Sequence, residues 1–435
     1  MAAKDLYAGS NTSVLYTDRR DFYIDPQVVK ELWTDVAPFT TVLSNKETRQ
    51  TNDPLFKMFE HRNPWVKQQF VTSTDAAPIA AGVESAALTV SGDPVGLTGT
   101  PDSSWLGLLC EVWATGFTGD AKGVVIISVA TGSDDVKVKN VGDDSIDIAA
   151  NDVFLVVGNA RAEGDVAPNA WADELQVVYN SCQIFKTPLE ITGTLLQAAL
   201  RGESSELARL RSQKNQEHKM QKEKSFLFGT RVGGTDLDNA GSAMADGGVT
   251  GGSNSGKVRT TYGIVSAINK YGADSGDDQS KYTIDASYGY NNFVDDMEKV
   301  FQYVPTSGVK RAFCGAGALG YWSKIAGSSG MAGNSGWTVN MSDMKRDSLG
   351  FNYKILETPH GILQLIPTPA LRGPYNKNML VVDEDNMFHA QYRSPMFQAN
   401  IKTDDGYDGV KDQYFSDEGI GISLIESHNL FKITA

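Results

Sequence analysis

The sequence is poor in the residues that build disulfides, metal sites and catalytic clusters. Among 435 residues there are 3 cysteines and 5 histidines, and none stands at the spacing of a disulfide framework or a zinc site. No Ser/His/Asp or Cys/His set can be assembled from the spacing of the chain. We therefore expect no catalytic residues, no metal and no cofactor, with the cysteines as buried thiols in a reducing compartment.

Long apolar runs and basic surface are also missing. The longest apolar run, GVVIISVATG at 123–132, is shorter than the ~20 residues of a membrane span, and the first ten residues lack the apolar core of a signal peptide. The net charge is −14, with 39 basic and 53 acidic residues. Such a chain predicts no membrane contact and no tight binding of nucleic acid, although an acidic protein can lie beside DNA without adhering to it.

What the sequence does contain is a mixture of strand and helix patterns, which predicts an α+β protein. Short strands separated by turn residues fill 88–158 and predict a small β-rich module. The longest helix is expected at 204–228, with acidic residues at its start, lysines at its end and Gly229 as its stop. A glycine-rich loop follows at 230–257, and a compact α/β region comes after it.

Two glycine motifs suggest a nucleotide-binding enzyme as an alternative. The stretch 251–257 resembles a phosphate-binding loop, but Val258 stands where the magnesium-binding hydroxyl is required, and no buried strand precedes it. The stretch 315–320 spells GxGxxG after a strand, yet an acidic residue about 20 positions further on, at the end of the next strand, is missing. We expect a surface loop at the first and a tightly packed strand-to-helix turn at the second.

Two acidic stretches suggest calcium loops only superficially. A loop that begins with the stretch 404–412 has Phe415 at its twelfth position, where glutamate is needed, and the stretch at 383–386 lacks the glycine of the sixth position. Solvated turns are the expectation for both.

The order of the parts, with several local stretches, resembles the major capsid proteins of tailed double-stranded-DNA bacteriophages with the Hong Kong ninety-seven fold. The stretches are DVAPFTTVLSN, VVGNARAEGDVAPNAW followed by YNSCQIFKTPLEITGT, the helix SSELARLRSQKNQEHKMQKEKSFLFG, VRTTYGIVSAI and MLVVDEDNMFHAQYR. The resemblance covers most of the chain in order and is weakest at 88–158 and 230–257.

This resemblance implies an N-terminal arm, an extended hairpin called the E-loop that carries the β-rich insertion, a peripheral domain and an axial domain. The implied boundaries are 1–58 for the arm, 59–186 for the hairpin with insertion 88–158, 187–261 and 385–435 for the peripheral domain with its spine helix 204–228, and 262–384 for the axial domain.

The resemblance also implies a shell protein that assembles with itself as hexamers and pentamers around the phage DNA, in a virion built in the cytoplasm of the bacterial host. Scaffold, portal and cement or decoration proteins are possible partners. Arm and hairpin would lie on neighbouring subunits, so the expected interface residues are Trp33, Phe39, Trp65 and Phe70. A β-rich decoration or tail protein, with 88–158 as its recognition module, is the second alternative.

Overall fold

The computed structural model describes residues 37–61, 69–91, 105–131, 135–165, 175–198, 205–231, 245–246, 257–275, 279–303, 308–327, 345–347, 349, 351–401 and 408–434. The chain divides into two compact units. Unit 1 comprises Met1–Met58 and Val177–Ala435, and unit 2 comprises Phe59–Gln176.

The described secondary structure is mixed, as expected for an α+β chain. Its α-helices are α1 (Pro38–Lys46), α2 (Gly193–Gln197), α3 (Glu206–Phe228), α4 (Ile264–Tyr271), α5 (Tyr290–Val300) and α6 (Ala316–Gly327). Its strands are β1 (Thr48–Gln50), β2 (Leu55–Glu60), β3 (Gln69–Thr72), β4 (Ala76–Ile79), β5 (Leu88–Ser91), β6 (Leu108–Trp113), β7 (Gly123–Thr131), β8 (Asp135–Asn140), β9 (Ile146–Ile148), β10 (Val153–Asn159), β11 (Gln176–Ser181), β12 (Gln183–Thr192), β13 (Ala245–Asp246), β14 (Lys257–Val258), β15 (Lys281–Ile284), β16 (Val309–Cys314), β17 (Lys345–Arg346), β18 (Asn352–Glu357), β19 (Ile362–Pro367), β20 (Asn378–Val382), β21 (Met387–Gln398), β22 (Gly409–Ile422) and β23 (Asn429–Ile433). In the part of the chain that the structure describes, no helix combines the length and the apolar character that a membrane span requires.

Unit 2 is built around a closed barrel with strand order β10-β3-β5-β8-β7-β6. Alternate residues of β6 and β8 point inward and are buried, which is the period-2 pattern of strands that face a core on one side. The predicted start of the β-rich module at 88 is wrong. The barrel already includes β3, which pairs with both β5 and β10.

Unit 1 contains two larger sheets. The four-stranded sheet has the order β1-β21-β22-β12, and the seven-stranded sheet has the order β15-β23-β20-β16-β19-β18-β17. The final strand, β23, belongs to the seven-stranded sheet, where it runs parallel to β15 and antiparallel to β20. The predicted division grouped 385–435 together, whereas β23 pairs within the seven-stranded sheet and places Leu430 and Phe431 in two different core clusters.

The long helix forms where the sequence predicts it, two residues shorter at its start. Ser205 caps it by accepting a hydrogen bond from the amide of Ala208 at 3.4 Å. At its other end Gly229 follows Phe228, and a side chain at this glycine would lie 2.6 Å from the carbonyl oxygen of Thr261. The stop at Gly229 is therefore confirmed, and close packing against the backbone of the next segment gives it a reason.

Candidate subunit interface

The four residues expected at a subunit interface divide into two pairs. Trp33 and Trp65 lie outside the described residues. Phe39 is fully buried in unit 1, and Phe70 is buried inside the barrel of unit 2, stacked on Phe154 with ring centroids 4.8 Å apart. Neither side chain has exposed surface to offer a neighbouring subunit, so the expectation of interface residues does not hold for Phe39 and Phe70.

Phe39 is buried because α1 packs into the core of unit 1. Its ring meets the ring of Phe313 edge-on at 5.1 Å, and Val42 and Leu43 belong to the same cluster. Pro38 starts the helix with a residue that has no amide hydrogen to satisfy, which is the position where proline is tolerated. Helix α1, which the sequence predicted to lie in an arm without a core of its own, is thus part of the core of unit 1.

The N-terminus of α1 is capped by a residue of α3. Ala37, at the capping position, has no side-chain acceptor. The carboxylate of Glu223 takes this role: it accepts hydrogen bonds from the amide of Phe39 at 3.1 Å and from the amide and hydroxyl of Thr40 at 2.8 and 2.7 Å. Burial raises the pKa of Glu223, and the bonds from Thr40 and Phe39 oppose that shift.

The far end of α1 is attached as well. Strand β1 pairs in parallel with β21 from His389 to Gln391, and the amide of His389 donates to the carbonyl oxygen of Glu47 at 2.9 Å. Lys46 forms an ion pair with Asp385 at 2.7 Å. Residues 37–50 therefore form a segment, here named the α1–β1 clip, that is bonded to unit 1 at both ends.

Exposed apolar side chains cluster instead on the distal half of β21. Tyr392, Met396 and Phe397 are 37%, 43% and 41% exposed, although all three lie in a strand paired with β22. Strand β1 covers the outer edge of β21 only as far as Gln391, and no described strand covers the edge beyond that point. We name residues 392–398 the β21 edge patch; the sequence pattern did not single it out.

Aromatic and charged contacts hold the β21 edge patch in place. The ring of Phe397 lies 4.9 Å from that of Tyr414, and the guanidinium of Arg211 lies 5.2 Å from the Phe397 centroid. The guanidinium of Arg393 sits 4.3 Å from the centroid of Phe415. The partners of Phe397 belong to β22 and α3, so its ring is held in place and is still partly exposed to water.

The glycine motifs do not form nucleotide sites in the described residues. At 315–320, the strand β16 does lead into α6, but Asn376 fills the turn: its side-chain oxygen accepts from the amide of Gly317 at 3.1 Å, and its carbonyl oxygen accepts from the amide of Ala318 at 3.1 Å. A side chain at Gly315 would lie 2.2 Å from the Asn376 carbonyl oxygen. The prediction of a tightly packed turn is confirmed.

The remaining motifs lie partly outside the described residues. This applies to residues 251–256 and to the start of the acidic stretch at 404–412, whereas Lys257–Val258 pair as β14 with β13. In the acidic stretch at 383–386, the side chain of Asp383 accepts from the amide of Asp385 and closes a turn. This Asp383 is buried rather than solvated, which corrects the expectation of a solvated turn. No cluster of metal-binding side chains occurs among the described residues.

Comparison with known proteins identifies one family by sequence. The family described as SU10 major capsid protein matches residues 26–421, which is most of the 435-residue chain. No curated protein sequence matches the chain.

Solved structures give low-identity likenesses over nearly the whole chain. A capsid of a native GTA particle, computed with C5 symmetry, is 9% identical with a TM-score of 0.45, covering 99% of this chain and 100% of that one. A chain from Microbacterium phage Oxtober96 is 11% identical with a TM-score of 0.43, covering 98% and 99%. A chain from Mycobacterium phage Adephagia is 9% identical with a TM-score of 0.40, covering 98% and 99%. The assignment to a family therefore depends on the sequence match.

Proposed function

Because the chain belongs to the SU10 major capsid protein family, we propose that it associates with copies of itself, as hexamers and pentamers, to build the icosahedral shell around a phage genome. A major capsid protein is a structural component of the virion and not an enzyme. The single observation that carries this function is the family match over residues 26–421.

The proposal includes the Hong Kong ninety-seven arrangement. We assign the E-loop to the hairpin region 59–186, with the barrel of unit 2 as its insertion, and the spine helix to α3. The four-stranded sheet with α3 belongs to the peripheral domain, and the seven-stranded sheet to the axial domain. This assignment is supported by the order of these elements along the chain.

Within such a shell we propose the β21 edge patch as a contact between subunits. Each large apolar side chain that moves from water into an interface contributes roughly 1.5–3 kcal/mol when fully buried. Tyr392, Met396 and Phe397 are exposed in the subunit, and the contact of Phe397 with Tyr414 reduces the side-chain entropy that Phe397 loses when it is covered. Trp33 and Trp65 remain proposed interface residues.

Further proposed partners follow from the same function. Scaffold, portal and cement or decoration proteins would contact the shell, and the packaged DNA would lie beside it without sequence-specific binding. The net charge of −14 supports the last point, because a container must release its DNA. Assembly would take place in the cytoplasm of the bacterial host.

Negative-stain electron microscopy tests the function directly. The chain, expressed alone or with its scaffold, should give hollow symmetric particles hundreds of ångströms across. A small oligomer under every condition with the genuine scaffold present would contradict the proposed function.

The proposed contact is tested with Met396→Ser/Phe397→Ser. The matched control is Ile362→Ser in unit 1, because Ile362 is similarly exposed, at 37%. We expect the double variant to keep the thermal unfolding curve of the subunit and to lose particle yield, with the control unaffected. Normal particles from the double variant would contradict the role of the β21 edge patch.

A further inference from the structure

Helix α3 is attached to the four-stranded sheet through polar side chains rather than through an apolar stripe. Three residues of α3 face the sheet in succession: Arg211, His218 and Lys222. Their partners follow one another in the same order on β22: Asp412, Ser416 and Glu418. We name these three pairs the α3 zipper.

The distances show that each pair of the zipper is made. The Nη2 atom of Arg211 lies 2.7 Å from the Oδ2 atom of Asp412, and the Nζ atom of Lys222 lies 3.1 Å from the Oε2 atom of Glu418. Between them the Nε2 atom of His218 lies 3.1 Å from the Oγ atom of Ser416. All three partners on β22 are buried, and the side chains of α3 help to offset the desolvation cost of each.

Such an interface fixes the position of the helix but contributes little net free energy to its attachment. Separating a charged pair exposes both groups to water, which recovers their hydration, whereas separating apolar side chains recovers nothing. The apolar anchoring of α3 lies towards its C-terminal end, where Phe226 and Leu227 enter the core of unit 1 and Met220 packs against that core. The contacts of the helix with β22 are polar, and among the three α3 residues of the zipper His218 is the one that titrates near neutral pH.

His218 is the titratable group at the centre of the zipper. It is 4% exposed, and its Nδ1 atom lies 3.0 Å from the hydroxyl of Thr187 on β12. The rings of Phe185 and Tyr414 flank it, with centroids 6.3 and 6.2 Å away.

The charged groups around His218 come from three elements. Lys222 lies one turn further along α3, Asp412 and Glu418 lie on β22, and His389 of β21 lies 3.4 Å from Glu418. Burial, together with the charge of Lys222, lowers the pKa of His218 to about 4, and Glu418 opposes this shift. The imidazole in the docked helix is thus neutral and has a hydroxyl partner on each nitrogen.

We propose that the α3 zipper is an acid-sensitive clamp, which releases the middle of α3 from the four-stranded sheet when His218 takes up a proton. A buried imidazolium one turn from Lys222 has no free counter-ion, because Glu418 is already paired with Lys222 and His389. When the middle of α3 leaves the sheet, the new positive charge on His218 is exposed to water and hydrated. This proposal concerns the subunit itself and does not rest on the proposed function.

The sign and size of the effect follow from linkage. The pKa of His218 is lower in the docked helix than its ordinary value of 6.5, so docking is strongest above pH 6.5 and weakens as the pH falls towards 4. With the pKa at about 4 docked and 6.5 released, the opening constant of α3 rises about 30-fold between pH 8 and pH 5.

Hydrogen exchange read by mass spectrometry on the full chain tests the clamp. After correction for the intrinsic pH dependence of exchange, the opening constant of peptides from the middle of α3 should rise about 30-fold between pH 8 and pH 5. Peptides from β16 and β20 report global unfolding, which exposes both His218 and the buried His428 and is therefore itself pH-dependent. The deciding comparison is with a variant that lacks the titrating imidazole of His218, and an equal rise of the α3 peptides in that variant would overturn the proposal.

The decisive variant is His218→Gln, because a glutamine amide can bond the two hydroxyls and does not titrate. We expect its α3 peptides to change less than threefold over the same range, roughly a tenth of the wild-type response. The matched control, His360→Gln, replaces an exposed histidine and should behave as wild type. If His218→Gln does not fold, nuclear magnetic resonance titration of His218 in the wild-type subunit decides: a pKa at or above 6.5 overturns the clamp, and one well below supports it.

Discussion

The cap that Glu223 places on α1 predicts a measurable loss of stability in Glu223→Gln. The glutamine has nearly the same volume, but only its carbonyl oxygen can accept a hydrogen bond. In the wild type the amides of Phe39 and Thr40 both donate to the carboxylate, and in the variant one of them is left facing an NH2 group. An unsatisfied buried donor costs about 1–3 kcal/mol, and loss of a helix cap costs about 0.5–2 kcal/mol. We expect the free energy of unfolding to fall by about 2 kcal/mol.

Urea unfolding of the soluble subunit at pH 8, followed by circular dichroism, measures this change. The matched control is Glu217→Gln on the same helix, where the carboxylate forms a partly exposed ion pair with Lys214 at 2.8 Å. That variant should lose no more than about 0.5 kcal/mol. If Glu223→Gln is as stable as the control, then either the carboxylate is protonated when folded or the cap does not hold α1, and our account of the α1–β1 clip is refuted.

Five further results are expected. Phe39→Ala should lower the free energy of unfolding of the subunit, measured by urea unfolding, by about 3–5 kcal/mol, because its ring is fully buried. Trp33→Ala should reduce the particle yield seen by electron microscopy more than it lowers the melting temperature of the subunit in a thermal melt. Residues 59–176 expressed alone should give a β-type circular dichroism spectrum and a cooperative melt, and a random-coil spectrum would mean that the barrel needs unit 1. Burial lowers the pKa of His428 to about 3 from an ordinary 6.5. The stability that depends on neutral His428 is therefore present above pH 6.5 and is lost as the pH falls towards 3, at up to about 1.4 kcal/mol per pH unit. In His428→Gln the urea midpoints measured between pH 7 and pH 4 should depend less on pH than in the wild type. Lys257→Ala should change stability by no more than ~0.5 kcal/mol and leave assembly intact, and saturable ATP binding that is lost in this variant would restore the enzyme alternative.

The sequence predicted the features that depend on neighbouring residues. Ser205 and Gly229 delimit α3 because a cap and a stop act within one helical turn. The turn at Gly315 and Gly317 was predicted as close packing because the acidic residue of a dinucleotide site was missing, and Asn376 now explains the packing. Both predictions used residues close together in the sequence, whereas the contact of Gly317 with Asn376 itself, 59 positions away, could not be predicted from them.

The features that the sequence did not predict depend on partners far along the chain. The cap of α1 comes from Glu223, which is 184 positions from Phe39, and no local pattern connects the two. Phe39 therefore looked unburied in its own segment. The pairing of β3 within the barrel and of β23 within the seven-stranded sheet was not predicted for the same reason, because strand order in a sheet is fixed by pairing and not by proximity in sequence.

The way the barrel is connected to the chain has a consequence for evolution and engineering. Unit 2 is one continuous segment, Phe59–Gln176, and the strands at its two junctions, β2 and β11, pair with each other. An insertion whose entry and exit lie side by side can be shortened, enlarged or exchanged without altering the path of the flanking chain. A foreign domain with adjacent termini, grafted between β2 and β11, should therefore be carried by every copy of the protein.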